Sequence, residues 1–138
     1  MTKLELREYQ WIQRNIKKLR NRLEYIQSLA TKNTTQLQRV PIRSLGSTSD
    51  IVGNTIAEYA EEITELQQEI MNQLRKACAE ENRIERAIQT LPAREMYLIR
   101  ARYIEMRSWE QIAVDMSYEW AHVHRIHAGA LRQLAGKE

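Results

Sequence analysis

Along the first part of the chain, apolar side chains recur at alternating steps of three and four: Tyr9, Ile12, Ile16, Leu19, Leu23, Ile26 and Ala30. That is a heptad-like period, and it predicts one helix over residues 3–30. Arg7, Arg14, Lys17, Lys18, Arg20 and Arg22 fall on its other faces. The pattern stops at TKNTTQLQRVPIRSLGSTSD, residues 31–50, where Thr, Ser, Asn and Gln gather around Pro41 and Gly46. This composition predicts a long, partly flexible loop, with Asp50 as the N-cap of the next helix. A second seam follows at Ile56, Tyr59, Ile63, Leu66, Ile70, Leu74, Ala77, Ile84 and Ile88. It predicts a helix from about 51 to 90, ~60 Å long at 1.5 Å per residue. Folded back antiparallel, the two helices form a hairpin. Two helices alone bury little surface, so the seam also fits self-association into a dimer.

Beyond residue 90 the elements shorten. Pro92 ends the long helix or begins the next, because the residue before proline avoids helical geometry. AREMYLIRARYIEMR, residues 93–107, places Met96, Ile99, Tyr103 and Ile104 or Met106 inward and Arg94, Arg100, Arg102 and Arg107 outward. Ser108 and Gln111 form an S-x-x-Q capping box, so a helix starts near Trp109. Ile112, Ala113 and Met116 supply its buried side. Val123, Ile126, Ala130, Leu131 and Leu134 mark a further helix over about 119–135. The connector holds only Ser117, Tyr118 and their flanks, with Tyr118 expected to plug the gap. Two helices joined so tightly make a helix-turn-helix.

Burying Val123 and Ile126 fixes what faces outward near the start of that last helix: Glu119, Trp120, Ala121, His122, His124, Arg125 and Ala128. A recognition helix carries its base-reading residues there. Arg125 can donate to guanine O6 and N7, His122 and His124 can donate or accept, and Glu119 can accept from cytosine N4. Trp120 fits a thymine methyl or a sugar, and equally well fits packing against the neighbouring helix. Arg107, the capped helix start at Ser108, and Arg132 are candidates for phosphate contacts, which position a protein without reading sequence.

At residues 91–134 the chain resembles the C-terminal helix-turn-helix of sigma-70-type factors, region 4. The shared features are LP followed by R-E, then R-Y, S-x-x-x-I-A, V and a closing A-L-x-x-L. The whole chain resembles the ArpU-like phage transcriptional regulators in layout: a helical N-terminal region, a Ser-rich break, and this module with R-I-H at 125–127 and A-L at 130–131. The resemblance implies a regulator of late phage genes. It also marks two departures. Ser117 stands where this fold usually has a left-handed glycine, at ~1 kcal/mol, or the turn differs in shape. Glu119 stands where Ser or Thr normally caps the second helix.

Composition narrows the alternatives. The 138 residues are 43% apolar and 28% charged, with four glycines and two prolines. Good helix formers dominate, so the expected fold class is all-α: a hairpin over 1–90 and a DNA-binding module over 91–138. The net charge of +3 is unevenly spread: +7 over 1–45, −6 over 46–82 and +2 over 83–138. The basic segment either pairs with the acidic one or faces a polyanion. Cys78, the single cysteine, excludes an internal disulfide framework and reads as a small core residue. No apolar run reaches the ~18 residues of a membrane span, and no signal-peptide core opens the chain, so a cytoplasmic protein is expected.

The histidines match no zinc spacing; His124 and His127 share a face, His122 does not, and no metal or other cofactor is expected. His127 borders the buried stripe and should be a hydrogen-bonded, half-buried residue, with Trp109 in the core. No phosphate loop or nucleophile motif suggests an enzyme. The expected partners are double-stranded DNA, a second copy of the chain and, as an open possibility, RNA polymerase. Two rival readings are a terminase small subunit of a virus and an interaction protein that grips RNA polymerase without reading DNA.

Overall fold

The computed structural model describes the backbone of residues 1–38 and 45–136, and the side chains of residues 1–32 and 57–136. The described residues are helical, with no strand among them. Their order is α1 (Lys3–Gln38), α2 (Leu45–Ile88), α3 (Ala93–Ile99), a π-helical turn (Arg100–Ile104), α4 (Trp109–Met116) and α5 (Trp120–Ala135). The all-α expectation is met.

Both long helices exceed the predicted spans. α1 runs on to Gln38 and α2 begins at Leu45, so much of the expected loop over 31–50 is helix. Thr, Asn and Ser are only weakly unfavourable in a helix, by a few tenths of a kcal/mol each, and context overrides that readily. Asp50 sits inside α2 and is not its N-cap. Pro41 lies outside the described residues.

The chain divides into two compact units that cut across the long helices. One joins Met1–Arg14 to the chain from Arg75 onward; the other is Asn15–Leu74. In the second unit Ile16, Ile26, Leu66 and Ile70 are buried, as both seams predict. An exposed ion pair between Arg22 and Glu62 (2.8 Å) links α1 to α2 there. Surface pairs of this kind fix register more than they stabilise.

In the first unit α1 and α2 also run antiparallel. The Tyr9 hydroxyl donates to Glu81 (3.1 Å), and Arg83 pairs with Glu5. Glu5 also closes a capping box at the start of α1. Its carboxylate accepts from the Thr2 backbone N–H (2.7 Å), while Thr2 Oγ1 accepts from the Glu5 N–H (3.3 Å). The Thr2 backbone bond and the Arg83 guanidinium hold the Glu5 carboxyl down at about 2. Leu6, Tyr9, Ile84 and Ile88 form the buried side of this pair, and Leu91, Leu98, Ile99, Ala101, Tyr103, Ile112, Val123, Ile126, Ala130 and Leu134 complete the unit's apolar interior. Cys78, expected in the core, is exposed. It follows Ala77, the buried seam position, and one residue rotates a side chain by about 100°.

Pro92 is the N-cap of α3, with φ −57° and ψ 156°. The predicted helix over 93–107 is α-helical only to Ile99. It then widens to the π-helical turn, in which the Glu105 N–H donates to the Arg100 carbonyl (3.0 Å). Its inward face is Leu98, Ile99, Ala101 and Tyr103, while Met106 is exposed. Arg100, expected to point to solvent, donates two bonds to Glu85 on α2 (2.9 and 2.8 Å). That guanidinium holds the Glu85 carboxyl below its ordinary range.

Candidate nucleic-acid interface

The helix-turn-helix is α4, a short turn and α5. Ser108 caps α4 as predicted: its hydroxyl accepts from the Gln111 N–H (3.2 Å), and the Gln111 side chain accepts from the Ser108 N–H (3.3 Å). α4 ends at Ser117 in the left-handed region, φ 58° and ψ 37°. The Tyr118 N–H reaches the Ala113 carbonyl and the Ser117 N–H the Val114 carbonyl, both at 3.1 Å. These two bonds are the Schellman arrangement that usually ends in glycine. The turn therefore keeps its usual shape and serine bears the strain. Met106, just before α4, has φ 58° as well.

Tyr118 does not plug the turn. It is 37% exposed and sets its ring edge against His122, 4.6 Å away. The Schellman bonds close the turn through the backbone, which leaves that side chain outside. Glu119 is the N-cap residue of α5, but its side chain makes no capping bond. α5 is anchored by Val123, Ile126, Ala130 and Leu134, all buried.

Opposite that buried stripe, Glu119, Trp120, Ala121, Arg125 and Ala128 are exposed. Arg125 has no ion-pair or hydrogen-bond partner among the described residues. His122 and His124 are half-buried. Arg132, in the last turn of α5, is exposed. Arg107 is exposed yet already engaged, with Glu105 (2.9 Å) and Asp115 as carboxylate partners. A phosphate would have to compete for it. The Ser108 side chain is likewise committed to its cap.

The aromatic residues of this stretch form a ladder of rings. Trp120 lies 3.9 Å from His124, His124 lies 4.3 Å from Trp109, and Trp109 meets His127 edge-on at 4.8 Å. His127 stacks on Tyr103 and lies 2.7 Å from its hydroxyl through Nε2. His127 is buried, not half-buried as expected. Burial and the nearby Lys3 push its pKa down to about 4, so the ring is neutral and Nε2 can accept from Tyr103. Burial pushes the Tyr103 phenol up. Trp109 is only half-buried, with the Arg102 guanidinium over its ring at 4.5 Å. Trp120 is 55% exposed and packs on a residue of its own helix. Among the described residues, no three His, Cys, Asp or Glu side chains gather where they could hold a metal ion.

Sequence reasoning missed a group of basic residues beside this ladder. Lys3, Arg7 and Arg14 of α1, with Arg102 of the π-helical turn, line a cleft of about 370 Å³ whose other walls include Trp11, Trp109 and His124. The signal was present: Lys3, Arg7, Trp11 and Arg14 are spaced by four, four and three, which sets them on one helical face.

A family model described as Sigma-70, region 4 matches residues 87–135, from the end of α2 through α5. The chain thus carries a helix-turn-helix of the sigma-70 region 4 type, a DNA-binding domain. Comparison with curated proteins and with solved structures gives no match. Among the described residues, no helix is long and apolar enough to cross a membrane.

Proposed function

We propose that this protein is a sequence-specific transcriptional regulator that lays α5 in the major groove of double-stranded DNA. One observation carries the reading: in a helix-turn-helix of this family type, the outward face of α5 is uncovered, with Arg125 unpaired between exposed Ala121 and Ala128. A guanidinium held there is placed to reach guanine O6 and N7, with Glu119, Trp120, His122 and His124 around it. Arg107, the start of α4 at Ser108, and Arg132 would meet phosphates on either side. The similarity to ArpU-like phage regulators supports a phage or prophage origin and action on late genes in the cytoplasm of a bacterial host. A homodimer joined through the N-terminal hairpin would place two such modules on half-sites related by two-fold symmetry.

The test is selection of duplex fragments from a random pool by the purified protein, followed by sequencing. A shared motif is the expected result, and recovery of unrelated fragments would contradict sequence-specific reading.

A second reading is favoured by the pairing of Arg94, Arg100 and Arg107 with Glu95, Glu85 and Asp115. A module with so many arginines already neutralised suits a protein contact, such as a grip on RNA polymerase. That reading predicts no salt-dependent affinity for duplex DNA, whereas a DNA binder loses affinity steeply as salt rises.

A further inference from the structure

The cleft formed by the first three turns of α1 and the helices that follow α2 is lined by Lys3, Arg7, Arg14 and Arg102, with no carboxylate among its lining residues. Among the described residues, Lys3, Arg7 and Arg14 have no ion-pair partner. Arg83, Arg94, Arg100 and Arg107 of the same unit, by contrast, each have one. Four like charges around one concavity repel one another, and the arrangement is relieved when an anion enters.

The geometry is also prepared. The Arg102 guanidinium lies over the Trp109 ring at 4.5 Å, and the Arg14 guanidinium lies over Trp11 at 4.8 Å. A cation–π contact of this kind restrains each guanidinium while leaving N–H donors available. Arg102 spends one donor on the Arg107 carbonyl (3.0 Å), which further restricts it. The Arg102 carbonyl accepts from Gln10 Nε2 (2.9 Å), so α1 is tied to the π-helical turn that presents this guanidinium.

We propose that this cleft seats a backbone phosphate of the DNA duplex, making the start of α1 a second, sequence-blind part of the DNA interface. The inference rests on the reading of α5 as a recognition helix. The cleft opens beside Trp109, the residue after the α4 N-cap, and beside His124 on α5. A strand bordering a groove occupied by α5 passes that edge. A free phosphate ion has the same chemistry, and the duplex is favoured because the cleft adjoins the helix that would enter the groove.

The experiment compares the salt dependence of duplex binding for three full-length proteins: wild type, Arg7→Gln/Arg14→Gln, and Lys17→Gln/Lys18→Gln as a control of equal charge change. All four substituted residues are exposed, and circular dichroism verifies that the variants remain helical. Each phosphate contact contributes about 0.9 to the slope of log K against log salt. The cleft variant should lower that slope by about 1 and weaken selected and random duplexes by the same factor. The control should leave the slope in place. Equal slopes in the cleft variant and wild type, or an equal fall in both variants, would overturn the cleft and leave the α5 reading standing. Failure of the wild-type protein to bind any duplex would remove both. Inorganic pyrophosphate is titrated at constant ionic strength, read by tryptophan fluorescence. Saturation lost in the cleft variant, with no change in duplex slope, would assign the cleft to a free anion and overturn the duplex proposal.

Discussion

Arg125 and His127 sit two residues apart on α5 and face opposite environments. Arg125 is exposed and unpaired among the described residues. Substitution Arg125→Ala should weaken binding to a selected site by about 1–3 kcal/mol and relax the preference at one base pair, with little change on random DNA. An equal loss on both would reduce Arg125 to a phosphate contact. His127 is buried against Tyr103, with its pKa lowered to about 4. An unfolded histidine titrates near 6.5, so the unfolded chain binds more protons between those two values. The stabilising effect of keeping the ring neutral is complete above about pH 6.5 and is lost as pH falls towards 4. At ~1.4 kcal/mol per unit the loss approaches about 3 kcal/mol. Glu85 and Glu95, whose carboxyls are held low by Arg100 and Arg94, lose their contribution only at more acid pH. Urea unfolding from pH 7 to 4 should therefore show the decline in wild type and a flatter profile in His127→Gln.

At the scale of elements, α4 is defined by its ends. The capping box at Ser108 was legible because it is local: four consecutive residues supply both bonds. The left-handed turn at Ser117 was foreseeable only through the family resemblance, since serine carries no glycine-like signal. Its strain of ~1–2 kcal/mol should be relieved in Ser117→Gly. After the entropy that glycine adds to the unfolded chain, the net gain should be about 0.5–1 kcal/mol. Thermal unfolding should then shift upward by a few degrees, and a lower midpoint would mean that the serine side chain does something the backbone account omits. The widening at Arg100–Ile104 had no signature, because RARYI contains neither glycine nor proline. The extension of α1 to Gln38 was missed for the opposite reason: its polar residues resemble a loop but do not forbid a helix.

For the whole molecule, the uneven charge found two uses, and neither was visible in the totals. Part of the basic segment pairs across the hairpin, as Arg22 does with Glu62. Another part, at Lys3, Arg7 and Arg14, lines the cleft beside the helix-turn-helix. The proposed dimer belongs to this scale as well. Sedimentation equilibrium at micromolar concentration should give twice the 16.4 kDa chain mass. A monomer would remove the symmetric half-site reading without touching Arg125, and a large ring would favour the terminase-like alternative.

The sequence by itself determined the helical class, the two apolar seams, the cap of α4 and the stripe that seats α5. Each follows from a period or spacing inside one element, where neighbours in sequence are neighbours in space. Tertiary structure alone decided that Arg7 and Arg14 share a cleft with Arg102, that Arg100 is tied to Glu85, and that His124 lies between two tryptophans. These side chains come from distant elements or depend on how elements dock, and docking is set by packing, which no single helical period encodes.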